Sequence, residues 1–365
     1  MSARLRTRLY ACALALAVLP AGAGAADASR SGREIYSRFR DHLAQPDCDP
    51  EASERWRRHF ANAPGDMADD GRDVMPLFGY VVDALIESDL PTEFALIPFV
   101  ESGYRPGAKS AGGPAGLWQM IGVTARNHGV PVRDGYDGRL SPVDSTRAAV
   151  RYLKTLYGMF AGDWRLAVMA YNAGENRVLS ALRNSGQQPR SADLDALTGV
   201  PAVTRAYVRK LHALACVLDE ADDRAQWRAA IDRPVPLLTD VSVPEGVNLA
   251  SWAARNGFDL VALRRMNPAF GNGRVGSGRK VLAPDHDDDD GADAFWPSGE
   301  DEIVFQVPAG MPVPAPHADR VHVVRRGESA WRIARRYGIG TARLLKRNGL
   351  DARSVLRPGM TLRID

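Results

Sequence analysis

Apolar residues recur with helical spacing along much of the chain between residues 30 and 220. From Val74 to Ile86 the apolar positions are separated by alternating steps of three and one, which places them on a single face of a helix. Trp56 and Phe60, four residues apart, show the same spacing nearer the N terminus. Stripes of this kind pack into a protein core, and no strand pattern interrupts them. Residues 30–220 are therefore predicted to form one all-helical unit.

Further helices are predicted near residues 143–160, 163–183 and 201–219. Asp144 and Asp163 stand where N-terminal caps belong, because a short acidic side chain can accept hydrogen bonds from the first N–H groups of a helix. The predicted fold class of this part of the chain is mainly α.

A shorter apolar segment runs from Pro91 to Gly103. Proline suits the first turn of a helix and glycine its end, and the residues between them are apolar on all sides, so this helix should be buried. Burial disfavours the charged form of Glu101, so the pKa of its carboxyl group should rise toward neutrality. A general acid needs this property. On spacing alone, a capping or salt-bridged glutamate is an equal alternative.

After residue 230 the pattern changes to short apolar runs separated by glycine and proline. Two such stretches, 236–284 and 320–365, are predicted to form small strand-helix-helix-strand modules. Between them, residues 285–318 combine an acidic run around His286 with a series of prolines, which predicts a solvated linker. Metal binding by the acidic run is the alternative.

The first 25 residues have the three parts of a secretory signal peptide. Arginines precede an apolar run over residues 9–19, and a stretch of small residues follows it. The run is shorter than the roughly 20 residues that cross a bilayer. We expect cleavage after Ala25, export to the periplasm and no transmembrane segment in the mature chain. A retained N terminus is the alternative.

The positions of the three cysteines bear on lipid anchoring and on disulfide formation after export. Cys12 precedes most of the apolar run instead of following it, so anchoring as a lipoprotein is not expected. After removal of the signal peptide, Cys48 and Cys216 remain in an oxidising compartment, where a disulfide between them is predicted. Such a bridge would clamp the N-terminal helices of residues 26–90 onto the end of a domain over residues 91–220.

Length and composition favour a soluble protein of two or three domains. The 365 residues exceed one ordinary core, and 45% hydrophobic with 25% charged residues is typical of globular proteins, not of disordered or membrane-embedded ones. The seven histidines are scattered, and none lies at ligand spacing from cysteine or carboxylate groups in a motif, so neither a metal site nor a cofactor is predicted.

Three short motifs occur in order within the helical unit. They are Glu101-Ser102, Gly116-Leu117-Trp118-Gln119-Met120 and Ala170-Tyr171-Asn172-Ala173-Gly174. Together they resemble the soluble lytic transglycosylase family, whose catalytic domain has a goose-lysozyme-like fold. The match runs from Pro91 to Leu182 and is closest to the membrane-bound type D branch, which has tryptophan where other branches have methionine. Gly122 stands where the family usually has proline.

The resemblance also assigns roles to individual residues. It implies that Glu101 is the catalytic acid and that Tyr171 is the aromatic residue that hydrogen-bonds this carboxyl group. Other family positions that line the cleft or contact sugar are matched by Ser102, Ser110, Gln119, Tyr152 and Asn172. For each of these supporting residues, ordinary core packing or a bridge between helices is the alternative.

A conventional glycosidase needs two carboxylates about 5 to 9.5 Å apart. We find no second acid inside the three motifs except Glu175, which directly follows Gly174 and is expected to cap or pair on its helix. The resemblance implies that the substrate replaces the second carboxylate, with Glu101 acting first as acid and then as base, and that a 1,6-anhydro sugar forms. A hydrolytic muramidase of the same fold and a non-catalytic wall-binding scaffold are the alternatives.

The C-terminal module, residues 320–365, resembles a LysM module, which binds polymers that contain N-acetylglucosamine. Gly327-Glu328-Ser329 and Asn348 are its matching positions. Residues 236–284 resemble a degenerate copy without the Gly-Glu-Ser motif, which is either a spacer or a second binder.

The LysM-like module is strongly basic. Residues 320–365 hold twelve arginines and lysines against Glu328, Asp351 and Asp365. Carboxylates of the cell wall and nucleic acid both suit such a surface, and a chance excess of surface arginine is a third explanation. Because no nucleic-acid motif is present, we expect the partner to be peptidoglycan glycan strands and not nucleic acid.

Overall fold

The computed structural model describes residues 28–48, 53–133, 135–271, 273–276 and 278–285, and parts of the C-terminal module. Those parts are residues 321–324, 330, 333–334, 337, 341–350, 356–357 and 359–364. The predicted signal peptide with Cys12, residues 286–318 of the predicted linker and the Gly327-Glu328-Ser329 motif lie outside the described residues.

Helices dominate the first two thirds of the chain. The α-helices are α1 Gly32–Asp41, α2 Glu54–His59, α3 Ala63–Ala68, α4 Val74–Glu87, α5 Ile97–Glu101, α6 Gly122–Asn127, α7 Pro142–Met159, α8 Trp164–Ala173, α9 Glu175–Asn184, α10 Ala202–Asp222, α11 Ala225–Ile231, α12 Leu249–Arg255, α13 Leu260–Met266 and α14 Thr341–Arg347. Short 3-10 helices span Thr92–Leu96, Gly138–Leu140, Pro189–Ser191 and Pro268–Phe270.

The strands form four antiparallel pairs. They are β1 Ser29–Ser31 with β4 Pro234–Pro236, β2 Val132–Arg133 with β3 Tyr136–Asp137, β5 Leu238–Ser242 with β6 Lys280–Pro284, and β7 Val321–Val323 with β8 Thr361–Arg363. The predicted fold class, a helical domain followed by small α+β modules, is confirmed.

The apolar stripe of α4 lies at the centre of the main core. Leu77, Phe78, Val81 and Leu85 are fully buried, as their spacing predicts. The same apolar cluster includes residues of α1 before this helix and of α7, α8 and α10 after it. The N-terminal helices therefore share one continuous core with the helices that follow.

The helix ends differ from the sequence prediction in three places. Asp163 caps α8 as predicted, but the prediction for Asp144 is wrong, because Ser141 caps α7 and its hydroxyl accepts from the N–H of Asp144. The helix predicted over 163–183 is broken at Gly174, whose φ of 88° ends α8 and starts α9. This backbone conformation costs little for a residue without a side chain.

The third difference lies in the segment from Pro91 to Gly103. It begins as a 3-10 helix over Thr92–Leu96 and becomes α-helical only over Ile97–Glu101. Small strand pairs also occur within the predicted all-helical unit, at Val132–Arg133 with Tyr136–Asp137 and at β1. These pairs are two or three residues long, which is too short to leave an alternating pattern in the sequence.

Residues 238–284 form a strand-helix-helix-strand module, the topology predicted for the degenerate copy. Its strands pair from Leu238 with Pro284 to Ser242 with Lys280. Its own core contains Leu249, Trp252, Leu263, Phe270 and Val281.

One hydrogen-bond pattern is shared by this module and the C-terminal one. The side-chain amide of Asn267 donates to the carbonyls of Leu263 and Leu282 at 2.9 and 2.7 Å, and its oxygen accepts from the N–H of Leu282 at 2.8 Å. Asn348 bonds in the same way to the residues four before it and fifteen after it, Leu344 and Arg363. Each asparagine therefore fastens the second helix of its module to the final strand.

Within the described residues, no helix combines the length and the apolar character that a membrane crossing would require.

The predicted disulfide between Cys48 and Cys216 is confirmed, with 5.3 Å between the two Cα atoms. It joins the segment after α1 to the middle of α10, which lies 168 residues further along the chain. A crosslink across so long a loop removes much conformational freedom from the unfolded chain.

We predict that the double substitution Cys48→Ala/Cys216→Ala lowers the free energy of unfolding by about 4 kcal/mol, because the unfolded state regains the entropy of the open loop. Urea unfolding under non-reducing conditions measures this difference. A thiol reductant should weaken the wild-type protein to the level of the double variant and leave the variant unchanged. Equal stability of both proteins without reductant would contradict the prediction.

Candidate active site

Glu101 is the last residue of α5 and faces an open cleft of about 850 Å³. The short apolar helix that carries it is packed into the main core through Ile97 and Pro98, which are buried. Other parts of the cleft wall come from the segment between α3 and α4, from residues 103–110 and from Gln119. The glutamate is thus fixed by a buried element but exposed on one side to a space that can hold a ligand.

Tyr207 holds the Glu101 carboxyl group. Its hydroxyl donates a hydrogen bond to Oε1 of Glu101 from α10, and the tyrosine side chain is buried. The resemblance assigned this bond to Tyr171, and that assignment is wrong. The hydroxyl of Tyr171 donates instead to the carbonyl of Trp118, at 2.8 Å.

Tyr207 was not among the predicted site residues, because it lies beyond the last motif, in a helix predicted only from its apolar spacing. Its side chain fits the buried stripe of α10 as any core tyrosine would. A buried tyrosine needs a partner for its hydroxyl, and this requirement was the one available signal. The sequence does not show which residue the partner is.

The pKa of Glu101 is raised above its ordinary value, chiefly because burial disfavours the charged carboxylate. The hydrogen bond from Tyr207 and the positive charge of Lys210 act in the opposite direction, and burial outweighs both. This confirms the direction expected from the apolar sequence around Glu101. Burial and the charge of Glu101 raise the pKa of Tyr207 well above its ordinary value, so Tyr207 stays a hydrogen-bond donor near neutral pH.

Ser110 and Gln119 meet at the cleft wall. The Ser110 hydroxyl donates to the side-chain oxygen of Gln119 at 2.7 Å, while the Gln119 amide donates to the carbonyls of Ala108 and Gly116. The backbone of Gln119 is held at a φ of 47°. These bonds fix the side chain in one orientation toward the cleft.

Ser102 is placed differently from the expectation that it lines the cleft. It is buried, and its hydroxyl donates to the carbonyl of Leu117 at 2.8 Å. The serine therefore ties the end of α5 to the Gly116–Met120 motif. This bond helps to fix the position of Glu101, because Ser102, the next residue, is bound to the motif that carries Gln119.

The remaining predicted residues form a second group on α7, α8 and α9. Tyr152 donates to Glu175 at 3.0 Å, and its ring centroid lies 5.8 Å from that of Tyr171. Asn172 accepts a hydrogen bond from Thr204 at 3.0 Å. Glu175, in the first turn of α9, accepts its bond from Tyr152 on another helix, whereas a cap or a pair on its own helix was expected.

No second carboxylate acts on Glu101 within the part of the chain that the structure describes. The groups that shift its pKa, apart from burial itself, are Tyr207 and Lys210. The site thus presents one acid in an apolar setting, a neutral hydrogen-bond donor beside it and a cleft in front of it. This arrangement suits transfer of a proton to and from a single reacting centre.

We predict that Tyr207→Phe raises the pKa of Glu101 further, because the hydrogen bond that favours the carboxylate is lost while the burial remains. If Glu101 must be protonated to react, activity falls as the pH rises through this pKa. The alkaline limb of the pH profile of kcat/KM should therefore lie at higher pH in Tyr207→Phe than in the wild type. Tyr171→Phe is the matched control, because its hydroxyl bonds a backbone carbonyl. A limb that moves equally in both variants would contradict the role of Tyr207.

Two parts of the chain match known protein families. Residues 83–194 match the Transglycosylase SLT domain family, and residues 322–365 match the LysM domain family. Over 291 residues the chain is 32% identical to membrane-bound lytic murein transglycosylase D of Escherichia coli K12, which covers 79% of this chain and 63% of the relative.

Two further proteins are similar to shorter parts of the chain. The chain is 31% identical over 134 residues to soluble lytic murein transglycosylase of Salmonella typhimurium, covering 34% of this chain and 20% of the relative. Lytic transglycosylase Slt of Pseudomonas aeruginosa shares 25% identity and a TM-score of 0.33, over 39% of this chain and 24% of that protein. The chain therefore carries a transglycosylase SLT domain followed by a C-terminal LysM domain.

Proposed function

We propose that the protein is a peptidoglycan lytic transglycosylase that cleaves the β-1,4 bond between N-acetylmuramic acid and N-acetylglucosamine and leaves 1,6-anhydro ends. The observation that carries the proposal is the single carboxyl group of Glu101, with its raised pKa and its hydrogen bond from Tyr207, at an open cleft. The SLT domain match over residues 83–194 includes this glutamate. The chain spans 63% of the E. coli relative.

In the first step, protonated Glu101 donates its proton to the glycosidic oxygen. The N-acetyl oxygen of the muramic acid attacks its own anomeric carbon, and the bond to the leaving sugar breaks. A raised pKa favours this step because it keeps a larger fraction of the carboxyl group protonated near neutral pH. Burial of Glu101 supplies that property here.

In the second step, the Glu101 carboxylate removes the proton of the C6 hydroxyl. The C6 oxygen then bonds to the anomeric carbon, the N-acetyl oxygen leaves it, and the 1,6-anhydro ring closes without water. The hydrogen bond from Tyr207 stabilises the carboxylate between the two steps and holds its orientation. One residue serves as acid and then as base, so a pKa near the working pH helps both steps.

A hydrolytic muramidase is the rival of the same fold. A glycosidase with two carboxylates needs its second acid about 5 to 9.5 Å from the first, and Glu175 is engaged with Tyr152. A wall-binding scaffold without activity is the rival of another class. The geometry around Glu101 argues against a scaffold. A buried carboxyl group lowers the stability of the fold, and a scaffold without activity would gain nothing from it.

We further propose that the chain is exported and works in the periplasm in cell-wall remodelling and turnover. The arginines, apolar run and small residues of positions 1–25 support export, and the position of Cys12 argues against a lipid anchor. The LysM domain over residues 322–365 supports attachment to glycan strands. We do not expect nucleic acid to be a ligand, despite the basic charge of this domain.

We predict that Glu101→Gln abolishes formation of the anhydro product, with less than about 1% of the wild-type rate remaining, because loss of an essential acid costs at least about 10²-fold. Mass spectrometry of digested peptidoglycan sacculi measures this, since the anhydro product is lighter than a hydrolytic product by one water. Glu175→Gln is the matched control and should keep most of the activity.

The same variant tests the electrostatics independently of activity. A carboxyl group whose pKa is raised in the folded state destabilises the fold as the pH rises through that pKa. Glu101→Gln should therefore unfold at a higher temperature than wild type at pH 7 to 8, and the difference should disappear below the ordinary glutamate pKa of 4.5. A lower unfolding temperature at pH 7 to 8 would argue against a costly buried charge.

We predict that truncation after Pro316 weakens binding to insoluble peptidoglycan but leaves cleavage of small soluble fragments nearly unchanged. The LysM domain raises the local concentration of substrate without touching the chemistry. Pull-down on sacculi and kinetics on soluble fragments are the two measurements. Unchanged sacculus binding after truncation would refute the anchoring role.

A further inference from the structure

The module of residues 238–284 is packed against the catalytic domain. Leu282 of β6 belongs to the main core of the helical domain. Asp240, almost fully buried, accepts a hydrogen bond from Arg147 of α7 and forms a salt bridge with Lys280 of its own module. Buried charges of this kind are costly unless they are paired, so the pairing strongly favours one docked position.

A second set of contacts lies next to the cleft. Pro268 of the module packs over Gly107. A Cβ atom built on Gly107 would lie 3.7 Å from the Cβ atom of Pro268. Ala269 packs with Ala115, and the ring of Phe270 lies 5.5 Å from that of Tyr136. The module thus supports the loop of residues 103–120, which carries Ser110 and Gln119.

Arg265, a residue of this module, forms part of the cleft wall. It lines the same cleft as Glu101, and it donates to Asp73 through Nε and through Nη2, the latter at 2.7 Å. About half of the Arg265 side chain is exposed. Among the described residues, these bonds engage only one edge of the guanidinium group, so the Nη1 donors are available to a ligand.

The charges around the cleft favour an anion. Four cationic side chains line it, namely Arg72, Arg105, Lys109 and Arg265, against the acids Asp66, Asp73 and Glu101. Glu101 carries less negative charge than an ordinary glutamate because burial raises its pKa. The charged side chains that line the cleft therefore sum to a net positive charge.

We propose that Arg265, held by Asp73, forms part of a subsite for the carboxylates of peptide stems on the glycan strand. The proposal rests on the proposed function, because it concerns the same cleft and the same polymer. A guanidinium group that an ion pair has already oriented loses little freedom when it binds a carboxylate. The docked module thereby recognises the peptide-bearing form of the substrate, and the chemistry stays with Glu101.

The test compares peptide-bearing glycan strands with strands from which an amidase has removed the stems. For wild type we expect a higher kcat/KM on the peptide-bearing strands. Arg265→Ala should lower this preference about fivefold, through KM and not kcat, because a half-exposed charge-assisted hydrogen bond is lost. Raising the salt concentration should weaken the wild-type preference in the same direction.

Two further variants separate binding from docking. Arg264→Ala removes an exposed arginine of the same helix that does not line the cleft, and it should leave the preference unchanged. Asp73→Asn removes the carboxylate that orients Arg265 but keeps the guanidinium group at the cleft, so the preference should fall less than in Arg265→Ala. Thermal unfolding of each variant checks that the fold is intact.

The outcomes are distinct. An equal loss of preference in Asp73→Asn and Arg265→Ala would show that the pair only fastens the module, and would overturn the subsite. An unchanged preference in Arg265→Ala would do the same. If wild type released no anhydro product from either substrate, the proposed function would fail, and the subsite that rests on it would fail with it.

Discussion

Burial of the Glu101 carboxyl group, opposed by the hydrogen bond from Tyr207 and by the charge of Lys210, is the constraint on which the rest of the structure depends. The donor and the acceptor are 106 residues apart in the chain. The bond forms only if α5 and α10 are held in a fixed relation. The main core, the Ser102 bond behind Glu101 and the disulfide on Cys216 all act on one or the other of these two helices. The catalytic proposal and the stability of the fold therefore depend on the same contacts.

Much of the fold could be predicted from the sequence because strong periodicity reports directly on burial. The helix predicted over 143–160 is observed as Pro142–Met159, and the strand-helix-helix-strand topology of residues 238–284 is observed as well. The break at Gly174 could not be predicted with the same method. A glycine within an apolar stripe is compatible with either a continuous or an interrupted helix, and only its backbone φ decides between them.

The site was predicted less completely than the fold, for a physical reason. Motifs report on residues that are close in sequence, whereas Tyr207 reaches Glu101 from a helix beyond the last motif. Tyr171 has the right type of side chain in the right neighbourhood, but its hydroxyl is bound by a backbone carbonyl. The position of a buried tyrosine in the sequence does not show which group its hydroxyl binds. The docking of residues 238–284 was equally hidden, because it depends on charge pairs such as Arg147 with Asp240 whose members are far apart in the chain.

The shared asparagine bonds of the two small modules have a consequence for how far their sequences can differ. Asn267 and Asn348 each bind backbone atoms, so the pattern places no demand on the identity of the residues that supply the carbonyl and N–H groups. A module of this topology can therefore differ in nearly all of its surface residues while this bond keeps its architecture. Residues 238–284 have such a surface, which packs against the neighbouring helical domain. In both modules the asparagine lies fifteen residues before the strand residue whose N–H it accepts, and this spacing belongs to the architecture and not to any surface motif.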